Sequence, residues 1–400
     1  MIRSLFSGVS GMKNHQIRMD VIGNNIANVN TVGFKRGRVN FEDTLYQTIK
    51  SSSKTSNPAQ AGLGTAIASI TSDMNSGGLQ STGRNLDLAI NGDGFFRFTD
   101  PKKSLDDPSN QLYGREGTLY INNNGSIVNS NGLQLVAYQW KRVSVTGTNP
   151  AANITADGDL VLQKIKTDPG TLSEALPRTT PLVKISLTAG MTIDQVIEKI
   201  NEKTNSTGVV ASKDASGKLV LSSELNSLDG FSIDATSTGQ VLTDLGLASG
   251  DNKFDKTNAE YGQRALQIDP GSIPVGSIQF LDDGTVIGYD QNGNSLQWTD
   301  EQGNKYDSTM IKLYTFPNQD GLERVDKNIF TTSVSSGKEQ EGMSGSTGYG
   351  TIVSGYLEMS NVDLTDEFST MITTQRGYQA SARMITVSDT MLEELLNLKR

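Results

Sequence analysis

Apolar residues at the start of the chain fall at Ile2, Leu5, Val9, Met12, Met19 and Ile26. They step by 3, 4 and 3 and then by whole heptads, interrupted only by Gln16 and Gly23. That spacing predicts a helix with a narrow a/d seam, bounded near Ser4 and Asn30. Beyond Ala27 the run Asn28-Val29-Asn30-Thr31-Val32-Gly33 is helix-ending, turn-forming chemistry. The other end repeats the design. Leu364, Phe368, Met371, Tyr378, Ala382, Ile385, Leu392 and Leu396 step by 4 and 3, with Gln375 and Asp389 as polar interruptions. Asp363 precedes the run, Asp366 and Glu367 follow in its first turn, and Lys399 and Arg400 close it. This is the charge order that a helix macrodipole favours.

Between the ends the pattern changes from helical periodicity to short β-branched and aromatic runs broken by Asn-Gly. The pairs are Asn91-Gly92, Asn124-Gly125, Asn131-Gly132 and Asn292-Gly293. Asn-Gly is a hairpin signal of the type in which both turn residues take positive φ. Tyr120-Ile121 is expected to face Ile127-Val128 across one such turn. Residues 85–145 and 270–330 therefore read as mostly antiparallel β. Residues 146–289 read as an inserted domain whose ends return to one place. It opens on a Gly-Pro loop and carries one amphipathic helix on Ile193, Val196, Ile197 and Ile200, with Thr192 as cap. A hairpin follows from Val209-Val210 through a turn at Asp214 to Gly217 into Leu219-Val220-Leu221. Polar residues 51–56 and the Ser/Thr/Gly-rich stretch 331–350 read as a linker and a loop, with 51–65 and 331–350 as hinges between layers.

Either helical stripe alone fits a core-facing helix of a globular domain. The pair shifts the balance to another reading, because both seams are long and narrow and sit at opposite chain ends. Residues 1–50 hold seven Lys/Arg and three Asp/Glu, net +4; residues 357–400 hold four and seven, net −3. Two such helices predict a terminal coiled coil that needs neighbours from other subunits to be stable. The expected architecture is multidomain α+β, with a terminal helical layer and mainly antiparallel β shell domains. Its parts are 1–70 pairing with 356–400, a discontinuous β domain of 71–145 plus 290–355, and the insertion at 146–289.

Composition narrows the function. Hydrophobic residues make up 35% of the 400. Even with the 41 glycines this reaches only the low edge of the ordinary range of roughly 45–50%. A net charge of −9 argues against generic binding to nucleic acid or anionic lipid. No apolar run approaches the ~18 residues of a membrane span. The first twelve residues lack a continuous apolar core, so they do not read as a cleaved secretory signal. Zero cysteines exclude disulfides, thiolate metal sites and cysteine nucleophiles, and the single histidine, His15, excludes a multi-histidine metal site. His15 flanks the first seam and reads as solvated or interfacial rather than as a base. Gly92-Asp93-Gly94 lacks the third glycine of a dinucleotide loop. Asp290-Gln291-Asn292-Gly293-Asn294 with Glu301 has calcium-loop spacing, but Ser295 stands where glycine is required, so a plain hairpin turn is favoured. No cofactor, no metal and no enzyme activity are expected.

Four segments carry a family resemblance. Asn24-Asn25-Ile-Ala-Asn28-Val-Asn30-Thr31-Val-Gly33-Phe34-Lys35 resembles the N-terminal signature of the flagellar rod and hook protein family. Ser360-Asn361-Val362-Asp363 through Ile372, then Gln375-Arg376-Gly-Tyr378-Gln-Ala380, resembles its C-terminal signature, with Ser381 where the family commonly has Asn. Ala89-Ile-Asn-Gly92-Asp-Gly94-Phe95-Phe96 and Arg115-Glu116-Gly117 look like its core β motifs. Ile193 to Leu221 is similar to a helix-hairpin motif of the outer domains of flagellins and hook-associated proteins.

The resemblance implies a structural protein. Rod members are typically shorter, so the length implies the hook branch, with a distal rod subunit as runner-up and a secreted β-rich enzyme or adhesin as a remote third. It implies a homopolymer, a curved helical tube acting as a universal joint. The terminal helices, on Leu5, Val9, Met12, Met19, Ile26, Leu364, Phe368, Met371, Tyr378, Ile385, Leu392 and Leu396, would form its inner wall. It implies export through the flagellar type III apparatus without a cleaved signal. Its implied partners are the rod, the hook cap and the hook–filament junction proteins, in an extracellular position on the flagellum.

Overall fold

The computed structural model describes residues 2–398 except 52–56, 106, 151–152, 167–179, 225–228, 254–260, 273–274 and 301. The linker expected at 51–56 thus falls almost wholly outside the described residues. The first helix, α1, runs Ile2–Ala27. It stops where Asn28 turns its amide back on Asn24, donating to the backbone oxygen at 2.9 Å and to Oδ1 at 2.8 Å. Thr31 Oγ1 then donates to Asn28 Oδ1 at 3.0 Å, and Gly33 takes φ +67. An arm follows. Strand Gly37–Asp43 pairs antiparallel with Thr65–Ser72, and the ladder continues as Tyr46–Lys50 against Ala59–Gly62.

The main core is built on a nine-stranded sheet. Its central strand Gln134–Trp140 pairs with Phe96–Thr99, Ile127–Asn129, Gly262–Ala265 and Ser308–Met310. Phe96, Phe98 and Leu135 of this sheet are buried in one cluster with Leu88, Trp298 and Leu313 from neighbouring strands. Tyr120 faces Val128 and Ile121 faces Ile127, as the sequence pattern predicts. A second cluster gathers Ile154 to Leu247 under two antiparallel sheets, capped by α2 (Ile193–Asn201), α3 (Thr204–Thr207) and α4 (Gly239–Leu245). Thr192 N–H donates to Gln195 Oε1 at 3.0 Å ahead of α2, and Val209–Lys213 pairs with Lys218–Ser223 as expected. The last helix, α5, runs Leu364–Leu398 and packs along α1.

Three expectations need correction. Leu266, Ile268, Ile278, Phe280 and Val286 belong to the first cluster, so residues 262–289 do not share the core of the insertion. Turn punctuation cannot reveal this, because strand Gly262–Ala265 reads like any other exposed run until it joins the central strand. The Asn-Gly turns also differ from the expected type. Gly125, Gly132 and Gly293 have positive φ, while Lys327 and Asn328 are the non-glycine residues with φ above zero among those described. The asparagine therefore keeps a negative φ. An Asx residue three positions before the glycine caps the turn: Asn122 Oδ1 accepts from Asn124 and Ser126 N–H, and Asn129 Oδ1 from Asn131 and Leu133 N–H. The two-residue turn with both φ positive occurs instead at Lys327-Asn328, between Asp326 and Ile329.

The third correction concerns 331–350. Gln340–Met343 pairs with Lys312–Thr315, Ser336 is buried, and Ile352 N–H donates to Ser344 Oγ at 2.9 Å. Serine hydroxyls bond the backbone here, so a polar composition that reads as a hinge is stitched to the core.

Candidate functional site

The two chain ends meet along a helix seam and at a junction below it. In the seam, Ser4 Oγ lies 3.4 Å from Ser388 Oγ. A β-carbon at Gly8 would sit 3.2 Å from Ile385 Cγ1, one at Gly11 3.0 Å from Ser381 Oγ, and one at Gly377 2.7 Å from His15 Nε2. The α1 contact face is thus Ser4, Gly8, Gly11 and His15, stepping 4, 3 and 4. This is the expected heptad moved by one residue, about 100° around the helix. Small residues let the backbones approach closely, and the apolar stripe turns aside.

Another face of α1 meets the arm. Asn14 Nδ2 donates to Thr65 O at 2.7 Å, and a β-carbon at Gly64 would strike Ser10. Of the expected α1 seam residues, Val9 is 44% exposed, while Leu5, Met12, Met19 and Ile26 are half-buried. On α5, Met371, Tyr378, Ile385 and Leu392 are half-buried and alternate with the buried Thr374 and Ser388. Leu364, Phe368 and Leu396 face outward, Phe368 at 50% and Leu396 at 69% exposure. Gln375 and Arg376 are exposed too.

The junction draws the motif segments together. Gly33 N–H donates to Glu358 O at 2.8 Å, and a β-carbon on Gly33 would lie 3.0 Å from the Arg115 carbonyl carbon, so both φ and space require glycine. Phe34 and Lys35 are buried. Lys35 Nζ sits 2.7 Å from Glu358 Oε1 and donates to Asn75 O at 2.8 Å. The same Glu358 oxygen accepts from Gly77 N–H at 2.9 Å and from Arg115 Nη1 at 3.3 Å. Burial first, and the Arg115 guanidinium second, push the Lys35 amine down to about 8, against the pull of Glu358. Arg115 also lies over the Phe95 ring at 5.2 Å.

Around this trio the signatures brace one another. Asn25 brackets Gly37, donating to its oxygen at 2.9 Å and accepting its N–H at 2.8 Å. Asn361 accepts Arg36 N–H at 2.8 Å and donates to Asp73 O and Asn75 O. Val362 is buried, and Asp363 caps α5, accepting Thr365 N–H at 2.7 Å, which lowers its carboxyl. Arg36 pairs with Glu367 at 2.5 Å. Gly92 and Gly94 take φ +114 and +133, where Gly92 backs on Gly350 and Gly94 on Leu313. Phe95 and Phe96 anchor the strand in the core. Asn24 and Asn30 stay exposed.

Glu358, Asp73 and Arg324, whose Nη2 donates to Lys35 O at 2.9 Å, are junction residues that the sequence did not disclose. None sits in a periodic pattern. Elsewhere, Asp290 Oδ1 accepts Asn292 and Asn294 N–H at 2.8 Å each, so its carboxylate caps its own turn. Glu301, the other half of the calcium-type spacing, lies outside the described residues. Among the described residues no group of three or more His, Asp or Glu is placed to hold a metal ion. An open cleft of about 530 Å³ lies among α1, the arm and α5, lined by Arg18, Ile22, Arg36, Phe41, Glu367 and Thr370.

The chain is 33% identical to the flagellar hook protein FlgE of Treponema pallidum, with all of both chains covered. It belongs to the flagellar hook protein FlgE family. It is also 32% identical to the Escherichia coli FlgE over 98% of each chain, and 31% identical to the Bacillus subtilis basal-body rod protein FlgG over all of both. Family profiles match this hook-family chain in four places. The flagella basal body rod protein profile matches residues 5–35, and the rod FlgEFG C-terminal profile residues 353–398. The hook protein FlgE/F/G D1 domain profile matches 89–168, and the flagellin hook IN motif 170–224. The two terminal matches contain Gly8, Gly11, His15, Gly377 and Ser381 of the seam and Gly33, Lys35 and Glu358 of the junction, while Arg115 falls in the D1 match.

Proposed function

We propose that this hook-family chain is the structural subunit of the flagellar hook, polymerising into a curved tube that passes torque from rod to filament. One observation carries the reading. The helix pair closes on small residues and leaves Val9, Phe368 and Leu396 facing solvent, a surface that a second copy of the chain would cover. Heterologous contacts of that kind generate helical polymers. In the tube α1 and α5 line the inner wall, with Gln375 and Arg376 off the seam. The sheets around Trp298 form a shell and the cluster from Ile154 to Leu247 an outer domain. The chain leaves the cell through the flagellar export apparatus without a cleaved signal. Its neighbours there are the rod, the hook cap and the junction proteins.

The test is assembly of the purified chain, followed by sedimentation and electron microscopy, with limited proteolysis of the dilute protein alongside. Curved tubes, with both ends cut away first in the monomer, support the reading. A straight, stiff polymer favours the distal rod, a reading kept open by the similarity to the rod protein of B. subtilis. A chain that stays monomeric with protected ends overturns both.

A further inference from the structure

His15 is the only histidine in the chain, and the seam leaves a slot for it. Its Nε2 and Cε1 would lie 2.7 and 2.8 Å from a β-carbon on Gly377, so the imidazole fills the place of an α5 side chain. The Phe41 ring meets it edge-on from the arm, with centroids 6.1 Å apart. Its Nδ1 is buried with no hydrogen-bond partner. A neutral imidazole can leave that nitrogen as a bare acceptor. An imidazolium carries a proton on both nitrogens, and one N–H would then be buried without an acceptor.

The charges around the slot add to this. On α1 the neighbours are Lys13, Arg18 and the exposed Asp20. On α5 the only charged residues from Phe368 to Ser388 are Arg376 and Arg383. On the arm, Arg38 accompanies Glu42 and Asp43, both exposed. Desolvation and then Arg18 hold the imidazole below its ordinary value.

We propose that His15 is a proton-sensitive key between α1 and α5: neutral, it registers the helices against each other; protonated, it separates them and weakens assembly. The stability it supports is present above the ordinary imidazole range and is lost as pH falls through the histidine's own transition. This rests on the assembly reading, and the test separates the two. The full chain is compared with H15F, which fills the slot without titrating, and with H15Q should the larger ring not fit. The single histidine's NMR signal should titrate below 6.5. The wild-type critical concentration should rise between pH 7.5 and pH 5.5, by about tenfold per unit of depression. The variant's should change little. Identical pH profiles for wild type and variants, or an unshifted histidine titration, overturn the proposal. Should no protein polymerise at pH 7.5, the assembly reading fails instead. The pH dependence of thermal unfolding of the helices, wild type against variant, then decides the role of His15 by itself.

Discussion

Around Phe96, Phe98 and Trp298 the chain buries large apolar side chains in one contiguous cluster, whereas α1 and α5 meet mainly through glycine, serine, a half-buried imidazole and Ile385. The β core is complete in a single chain. The helix pair is less so: most of its stripe residues are only half-buried, and Val9, Phe368 and Leu396 are exposed. Hydrophobic stabilisation scales with apolar area removed from water, so the first region contributes most of the free energy of folding. The second contributes close geometry, and its apolar stripe awaits another surface. Between them lies the Lys35–Glu358–Arg115 junction, a buried ionic joint that ties the finished region to the unfinished one.

The sharpest break of this contrast is at the joint. Glu358→Gln leaves two buried cations with no carboxylate and should cost about 3–5 kcal/mol, the usual penalty for removing one partner of a buried pair. Because Glu358 meets Lys35 from the N-terminal signature just ahead of α5, both chain ends should become protease-sensitive together. Urea unfolding and fragment masses check this. Equal stability, or release of one end alone, would show that the joint does not couple them.

The same joint predicts an unusual pH dependence. Lys35 sits at about 8 in the folded chain and near 10.5 when exposed. Between those values the unfolded chain binds more protons, so stability rises with pH, by about 3 kcal/mol over the full window. Below pH 8 the lysine is charged in both states and its slope vanishes. Subtracting the pH profile of K35M isolates this contribution, since tyrosines with raised values act alike in both proteins. A flat difference curve from pH 8 to 10.5 would sink the assignment.

How far the sequence reveals these regions follows from what each is made of. Hairpins are local, and Asn124-Gly125 and Asn131-Gly132 announce them even where the turn type differs, whereas the strand ending at Asn91 pairs with Thr351–Ser354 rather than folding back on Phe96–Thr99. Phe95, Phe96 and the Gly33-Phe34-Lys35 run are legible as signatures. The joint's carboxylate is not, because Glu358 is one acidic residue at the end of a short strand and its partners lie 323 and 243 positions away. The seam is misread by one residue for a physical reason. A search for heptads weights apolar positions, but helices approach most closely where side chains are absent. Gly8, Gly11 and Gly377 read as gaps when they are the contact itself. Ser381, the departure from the family pattern, lies against Gly11 and is part of that close fit.

Filling a gap should therefore harm more than trimming the stripe. Gly8→Leu places a side chain where even a β-carbon would lie 3.2 Å from Ile385 Cγ1 and 3.3 Å from Ser381 O. Overpacking of this kind costs about 1–3 kcal/mol. The loss should appear as reduced helical signal in the single chain, measured by circular dichroism at equal temperature. An unchanged helix content and midpoint would mean that α1 and α5 are not held by this face.

The smallest effect on the single chain should come from the outward stripe, and it discriminates best. Phe368 is 50% exposed and outside the close seam contacts, so Phe368→Ser should change the stability of the dilute protein by no more than about 0.5 kcal/mol, as surface substitutions do. In a polymer the same position would be covered, and losing a buried phenylalanine contact costs several times more. Unfolding of the monomer and the critical concentration for assembly, measured on one preparation, should therefore diverge: the first hardly moves and the second rises steeply. If both stay put, the stripe is ordinary exposed surface and the polymer is held elsewhere. If both move together, Phe368 belongs to the single chain's own helix packing, and the contrast between a finished core and an unfinished helix pair is lost.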